Sequence, residues 1–179
     1  MKIDLEPFDV VKFSPGAHAD LGAYDALLNI EAIKNLKSRY LAAVDDKDWE
    51  AMNHIFTEDA VIDFSGEDKF HVGHHGMEAH MMNPAKTVVI GGQAAAQRIA
   101  RAVQEIITVH QCHDAQIALT SRSSAIGKWT LYDQLDYGNE IMHGYGHYHE
   151  HYELTETGWR IASLLLTRIK VDWEIRNAG

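Results

Sequence analysis

The order of elements along the chain predicts an α+β fold, with amphipathic helices first and a meander of long antiparallel strands last. At 179 residues one domain is the default, and a hydrophobic content of 46% is enough for a sizeable core with a cavity. No repeat or low-complexity run divides it.

Residues 1–27 are expected to form an N-terminal arm: Pro7, Pro15 and Gly16 sit among scattered Phe8, Val10, Val11 and Phe13, which suits an extended strap laid on the domain or on a neighbouring subunit. The domain proper is expected over 28–174, with a tail at 175–179. Ile30, Ile33, Leu36, Tyr40 and Val44 recur at spacings of three and four, so a helix near 25–44 should press this stripe on a core. A second helix near 48–56 would turn Trp49, Met52 and Phe56 inward. A strand at 60–64, a short strand near 69–72 and a helix near 76–82 come next, and Pro84 to Ile106 reads as a loop plus helix. Four long strands near 106–120, 123–137, 142–155 and 158–173 close the chain, joined by turns at Ser121 to Ser123, Gly138-Asn139 and Thr157-Gly158.

Acids, bases and donors in these apolar stretches are the candidate functional residues. Asp45 falls at the last turn of the first helix, where a carboxylate meets the negative end of the helix dipole and the like charge of Asp46, so an inward Asp45 needs compensation. The alternative is a solvated Asp45 ahead of the next helix, with Asp48 as the N-cap. His110 would supply the compensation from the strand starting near Thr108: a carboxylate bonded to one imidazole nitrogen fixes the tautomer and leaves the other as a base. Alternation along the next strand puts Ala125, Gly127, Trp129, Leu131, Asp133, Leu135 and Tyr137 on one face, so the core face carries Asp133 inward, where it requires hydrogen bonds or a cation. The last strand is apolar on both faces over its middle, and Arg168 follows that run as a candidate cation for Asp133 or for a substrate oxygen.

Twelve histidines raise the question of a metal, since His147, His149 and Glu153 imitate a strand-borne ligand run. The glycine spacing of a full cupin motif is missing and a long N-terminal helix does not suit a jelly roll, so no metal site is expected. His147, His149 and His151 are read as a polar face or subunit contact, with Tyr148, Glu150 and Tyr152 alternating as on a solvated or interfacial strand. Trp129, Tyr145 and Tyr148 are candidate substrate-binding residues, and Cys112 is a packed small residue.

A formal charge of −10 disfavours nucleic acid and anionic membranes, and small neutral ligands fit better. The single Cys112 excludes an internal disulfide and suits a reducing cytoplasm. The N-terminus lacks an apolar signal core and no stretch approaches a membrane span, so a cytoplasmic location is expected.

Taken with their surroundings, these residues resemble the SnoaL-like branch of the nuclear transport factor 2 (NTF2) superfamily, which holds polyketide cyclases, scytalone dehydratase, hexachlorocyclohexane dehydrochlorinase and bile acid 7α-dehydratase. The matching stretches are Ile30 to Tyr40 running into Val44 to Trp49, then Phe56 to Val61, His110 to His113, Trp129 to Asp133, and Gly158 to Ile161 through Thr167-Arg168. The resemblance implies a cone: a strongly curved, mixed but mainly antiparallel sheet wrapped around N-terminal helices and a central pocket. It places Asp45 and His110 where the dehydratase and dehydrochlorinase members have an Asp–His dyad, and Tyr40, Asp133 and Arg168 where the bile acid dehydratase pattern has its other polar pocket residues. It also implies a homo-oligomer, trimer or dimer, packed through the outer sheet face. The chain departs from these relatives in its arm and in the long stretch from Pro84 to Ile106, which would touch the pocket rim.

The function expected from this reading is a cofactor-independent lyase, a dehydratase or similar, acting on a small hydrophobic cyclic or aromatic substrate. His110 would be the base, Asp45 its orienting acid, Tyr40 the donor to the departing oxygen, and Asp133 with Arg168 the stabiliser of developing charge. The alternatives are a non-catalytic small-molecule-binding module and a metal-dependent oxygenase using the His-rich strand.

Overall fold

The computed structural model describes residues 21–74 and 88–176. Of the expected N-terminal strap over 1–27, residues 1–20 lie outside this range, as does the helix near 76–82, while Ala23 to Leu27 already belong to the first helix. Helix α1 runs Ala23–Asp46 and buries Ile33, Leu36, Lys37, Tyr40, Ala43 and Val44, one face at three- and four-residue spacing. It ends where Lys47 adopts a left-handed conformation, φ 61°, and its N–H caps the carbonyls of Ala43 and Val44. Asp48 then accepts a hydrogen bond from the Ala51 N–H and caps the short helix α2, Trp49–Met52. The helix expected to reach residue 56 stops here because Phe56 opens strand β1, Phe56–Asp63.

A one-turn helix α3, Asp68–His71, stands where a short strand was expected near 69–72. Local turn geometry overrides the alternation there, with the Phe70 N–H bonding the Glu67 carbonyl. Within the stretch read as loop plus helix, the described residues form strand β2, Val88–Ile90, and helix α4, Gly92–Val103. Gly92 lies so close to the Thr57 backbone that any side chain would collide, which fits α4 tightly against β1. The long strands are β3 (Ile107–Leu119), β4 (Ser124–Asp136), β5 (Glu140–Thr155) and β6 (Gly158–Ile175).

These strands form one six-stranded sheet in the order β2-β1-β6-β5-β4-β3. Only β1 with β6 is parallel; every other pairing is antiparallel, so the sheet is mixed and mainly antiparallel as expected. The sheet is not closed. Its inner face carries Ala125, Trp129, Leu131 and Leu135 of β4 against Ile33, Leu36 and Tyr40 of α1 in one hydrophobic core. No helix among the described residues is long and apolar enough to cross a membrane.

The inner face also buries a salt bridge. Lys37 of α1, 1% exposed, meets Glu150 of β5, 0% exposed, at 2.5 Å. Tyr152 donates to the second Glu150 oxygen and in turn accepts from the Trp129 indole at 2.7 Å. The Lys37 ammonium lies 3.5 Å from the centre of the Tyr148 ring, adding a cation–π contact. Tyr148, Glu150 and Tyr152 therefore face the interior, which corrects their reading as a solvated or interfacial strand face. His149, on the opposite face, is itself only 5% exposed and meets Thr167 at 3.3 Å.

Candidate functional site

A cavity of about 350 Å³ opens between the end of α1, helix α4 and the inner face of β3, β4, β5 and β6. Tyr40, His110, Asp133, Tyr148 and Arg168 all line it, together with Val44, Phe64, Ile99, Val103, Leu135 and Leu166. Apolar walls with a few converging polar groups are the usual make-up of a small-molecule site.

Asp45 stands behind His110. The His110 ring nitrogen Nδ1 lies 2.6 Å from Asp45 Oδ1, and the His110 backbone N–H donates to Oδ2 at 2.8 Å. Thr108, one side-chain alternation back on β3, donates its hydroxyl to Oδ1 at 2.8 Å and accepts from Lys47 Nζ at 2.8 Å. The charge at the negative end of α1 is thus compensated by donors from the facing strand and, through Thr108, by a lysine at the helix C-cap. Burial alone would raise the Asp45 carboxyl, but the hydrogen bonds from the His110 ring, the His110 N–H and Thr108 hold it below the ordinary carboxylate range. With Nδ1 held by a carboxylate, Nε2 is the nitrogen left to act as a base. Among the described residues no hydrogen-bond partner engages it.

Opposite lies a second polar group. Arg168 of β6 grips Asp133 of β4 through Nη1 at 2.9 Å and Nη2 at 2.7 Å, and Nη2 also reaches Glu67 at 2.6 Å. Both carboxylates are needed to understand the site. Burial would raise Glu67, but the Arg168 charge and His71 bring it down to about 2, so a fixed anion pair brackets one fixed cation. Glycine at position 144 makes room: a Cβ there would collide with the Asp133 carboxylate and the Arg168 guanidinium. The expected result of Gly144→Ala is a loss of about 1–3 kcal/mol through displacement of that pair, read as a shift in the urea midpoint with an unchanged slope.

Tyr40 and Tyr148 stand edge to face on the third wall, with ring centres 6.2 Å apart. Burial and the Glu150 charge push the Tyr40 hydroxyl far above its usual value, only partly offset by a hydrogen bond from Tyr148. Tyr40 thus keeps its proton and is a donor, not a base. Burial likewise pushes the Cys112 thiol up to about 11, consistent with a packed residue of little nucleophilicity.

Two of the residues expected to contact substrate, Trp129 and Tyr145, do not line this cavity. Trp129 shares the inner face with Asp133 but lies four residues earlier on β4, about 13 Å at strand rise, with its indole committed to Tyr152. Tyr145 is 38% exposed and packs on Tyr132, because an odd separation from Tyr148 along β5 turns it to the outer face. Conversely Glu67, His71, Arg98 and Arg101 line the cavity without having been singled out. Glu67 sits in a polar turn that offers no signal; the arginines belong to a helix whose position the sequence alone does not fix. Among the described residues no group of His, Cys, Asp or Glu is arranged to hold a metal ion, and the rings of His147 and His149 lie 6.2 Å apart on the outer face.

Comparison with known proteins agrees with this architecture. A family model described as SnoaL-like domain matches residues 25–164. A hexachlorocyclohexane dehydrochlorinase (LinA) type 2 superposes with a TM-score of 0.68 at 18% identity, over 88% of this chain and 98% of that one. A candidate scytalone dehydratase from Novosphingobium aromaticivorans DSM 12444 gives 0.68 at 16% identity, over 88% and 96%. A candidate aromatic ring hydroxylase from Novosphingobium aromaticivorans DSM gives 0.66 at 19% identity, over 83% and 94%. At these identities the likeness is one of fold, and the three names carry different reactions.

Proposed function

Because the chain belongs to the SnoaL-like domain family and folds as an NTF2-like cone, we propose that it is a cofactor-independent lyase acting on a small hydrophobic cyclic or aromatic substrate. The observation that carries this reading is the contact between Asp45 and His110 Nδ1, 2.6 Å long, with His110 on the cavity wall. In the favoured reaction, a dehydration, His110 Nε2 takes a proton from carbon and Asp45 stabilises the imidazolium that forms. The electron pair of the broken C–H bond becomes the new double bond and the adjacent C–O bond breaks. The leaving oxygen, hydrogen-bonded by the Tyr40 hydroxyl, takes the proton held on His110 Nε2 and departs as water, which restores the neutral imidazole. Asp133, Arg168 and Glu67 form a rigid polar wall that orients a substrate oxygen. The site would work in a homo-oligomer.

A mass-spectrometric screen of cyclic and aromatic alcohols and halides, with the His110→Ala protein as control, tests this. The expected result is loss of water or hydrogen halide from at least one compound with the native protein alone. Compounds that bind unchanged across the panel would instead identify a binding module.

A further inference from the structure

The helix α4 that walls the cavity is where this chain departs most from a plain hydrophobic pocket. Gly92–Val103 contains no acidic residue, yet Arg98 and Arg101, three apart, both line the cavity beside Ile99, Ala102 and Val103. Arg98 is half-buried and Arg101 is exposed where α4 meets solvent. Among the described residues neither guanidinium forms an ion pair. Arg101 touches only the side-chain oxygen of Gln97, at 3.5 Å, and Glu105, one turn on, is outside ion-pair reach. The acids of the cavity are already committed: Glu67 and Asp133 to Arg168, and Asp45 to His110.

Cations without a carboxylate partner occur elsewhere among the described residues, as at Lys47, which bonds only the Val44 carbonyl and Thr108, and at Arg160, which bonds Thr157; Arg98 and Arg101 differ from these in lining the cavity together. A partly buried guanidinium without an anion is costly, and its planar fork matches a carboxylate through paired N–H donors. Arg168 cannot serve this purpose, since both of its Nη atoms already hold carboxylates.

We infer that the pocket takes a hydrophobic ring compound bearing a carboxylate, with Arg98 and Arg101 gripping the carboxylate at the mouth while the ring lies toward His110. This rests on the reading of the cavity as a substrate site and specifies its substrate class. It revises the expectation of a neutral ligand drawn from overall charge, because the field at the mouth is set by residues within a Debye length, about 8 Å, and not by the net charge.

The test is a panel of matched pairs, benzoic, cinnamic, 2-naphthoic and a steroid carboxylic acid, each against its primary amide, titrated calorimetrically into the full chain. In the native protein at least one acid should bind about tenfold or more tightly than its amide, with the gap narrowing at high salt. Arg98→Gln with Arg101→Gln should bring the two members of that pair level, chiefly through loss of acid affinity. Equal affinities in the native protein, a preference that survives the double substitution, or no binding by any pair would overturn the inference. His110→Ala separates it from the lyase reading: acid preference kept in that variant while turnover also survives would retire the lyase and leave the carboxylate site standing.

Discussion

Replacing His110 by alanine is expected to lower turnover by about 10²–10⁴-fold, the contribution usual for a positioned general base, with ligand affinity changed little. The side chain lies at the cavity wall with only 9% exposure, and its replacement leaves a small void and no stranded charge, because Asp45 keeps donors from the 110 N–H and from Thr108. Asp45→Asn should act through the same step by a different route. The amide presents its oxygen or its NH₂ to Nδ1, can no longer compensate an imidazolium, and should reduce turnover to a similar degree. The two losses should not add, since both remove one functional unit, and a double variant no worse than either single one would demonstrate this. Asn at 45 should also alter acid stability in a defined direction. The folded Asp45 ionises more readily than its ordinary value, so its contribution is present above pH 4 or so and fades as pH falls through the depressed value. The variant should therefore lose stability at neutral pH and show a shallower decline toward low pH, measurable by chemical denaturation across the acid range.

The largest effect on folding is expected from Lys37→Met. Glu150 is completely buried, and without the ammonium its charge retains, among the described residues, only the Tyr152 hydroxyl as a close donor. Stranding one member of a buried ion pair costs about 3–5 kcal/mol, a large fraction of the stability of an ordinary domain. Lys37→Met combined with Glu150→Gln should recover most of the loss, because the glutamine carbonyl still accepts from Tyr152 and no buried charge is left over. Thermal unfolding of the three proteins checks this. A single variant with native stability, or a double variant worse than the single, would show that the pair is not what holds α1 on β5.

The sequence made the helix-then-strand order legible, and the strand faces in particular, because β4 alternates without interruption and only one parity is apolar. That parity is what turned Asp133 inward, where it lies 2% exposed. The same logic misled on β5. There the strand is polar on both parities, and nothing in a run such as His147 to Tyr152 says that the tyrosines and Glu150 hold the inner side. Lys37 was equally hidden, although it stands four residues after Ile33 on the apolar stripe, because lysines at such positions usually reach out to solvent. Its partner is 113 residues away, a distance over which periodicity carries no information. Glu67, Arg98 and Arg101 escaped for a related reason: they reach the cavity through the placement of a turn and a helix, which tertiary packing decides. Glycines 144 and 146 inside β5 were the one readable hint that something bulky approaches that strand, and at Gly144 it is the Arg168 and Asp133 side chains.

Asp45 and His110 are 65 positions apart, and they meet only where the end of the first helix docks on an edge strand. Tertiary docking, and no local motif, holds the two side chains together, so a substitution that loosens the end of α1 from β3 would separate them without altering either residue.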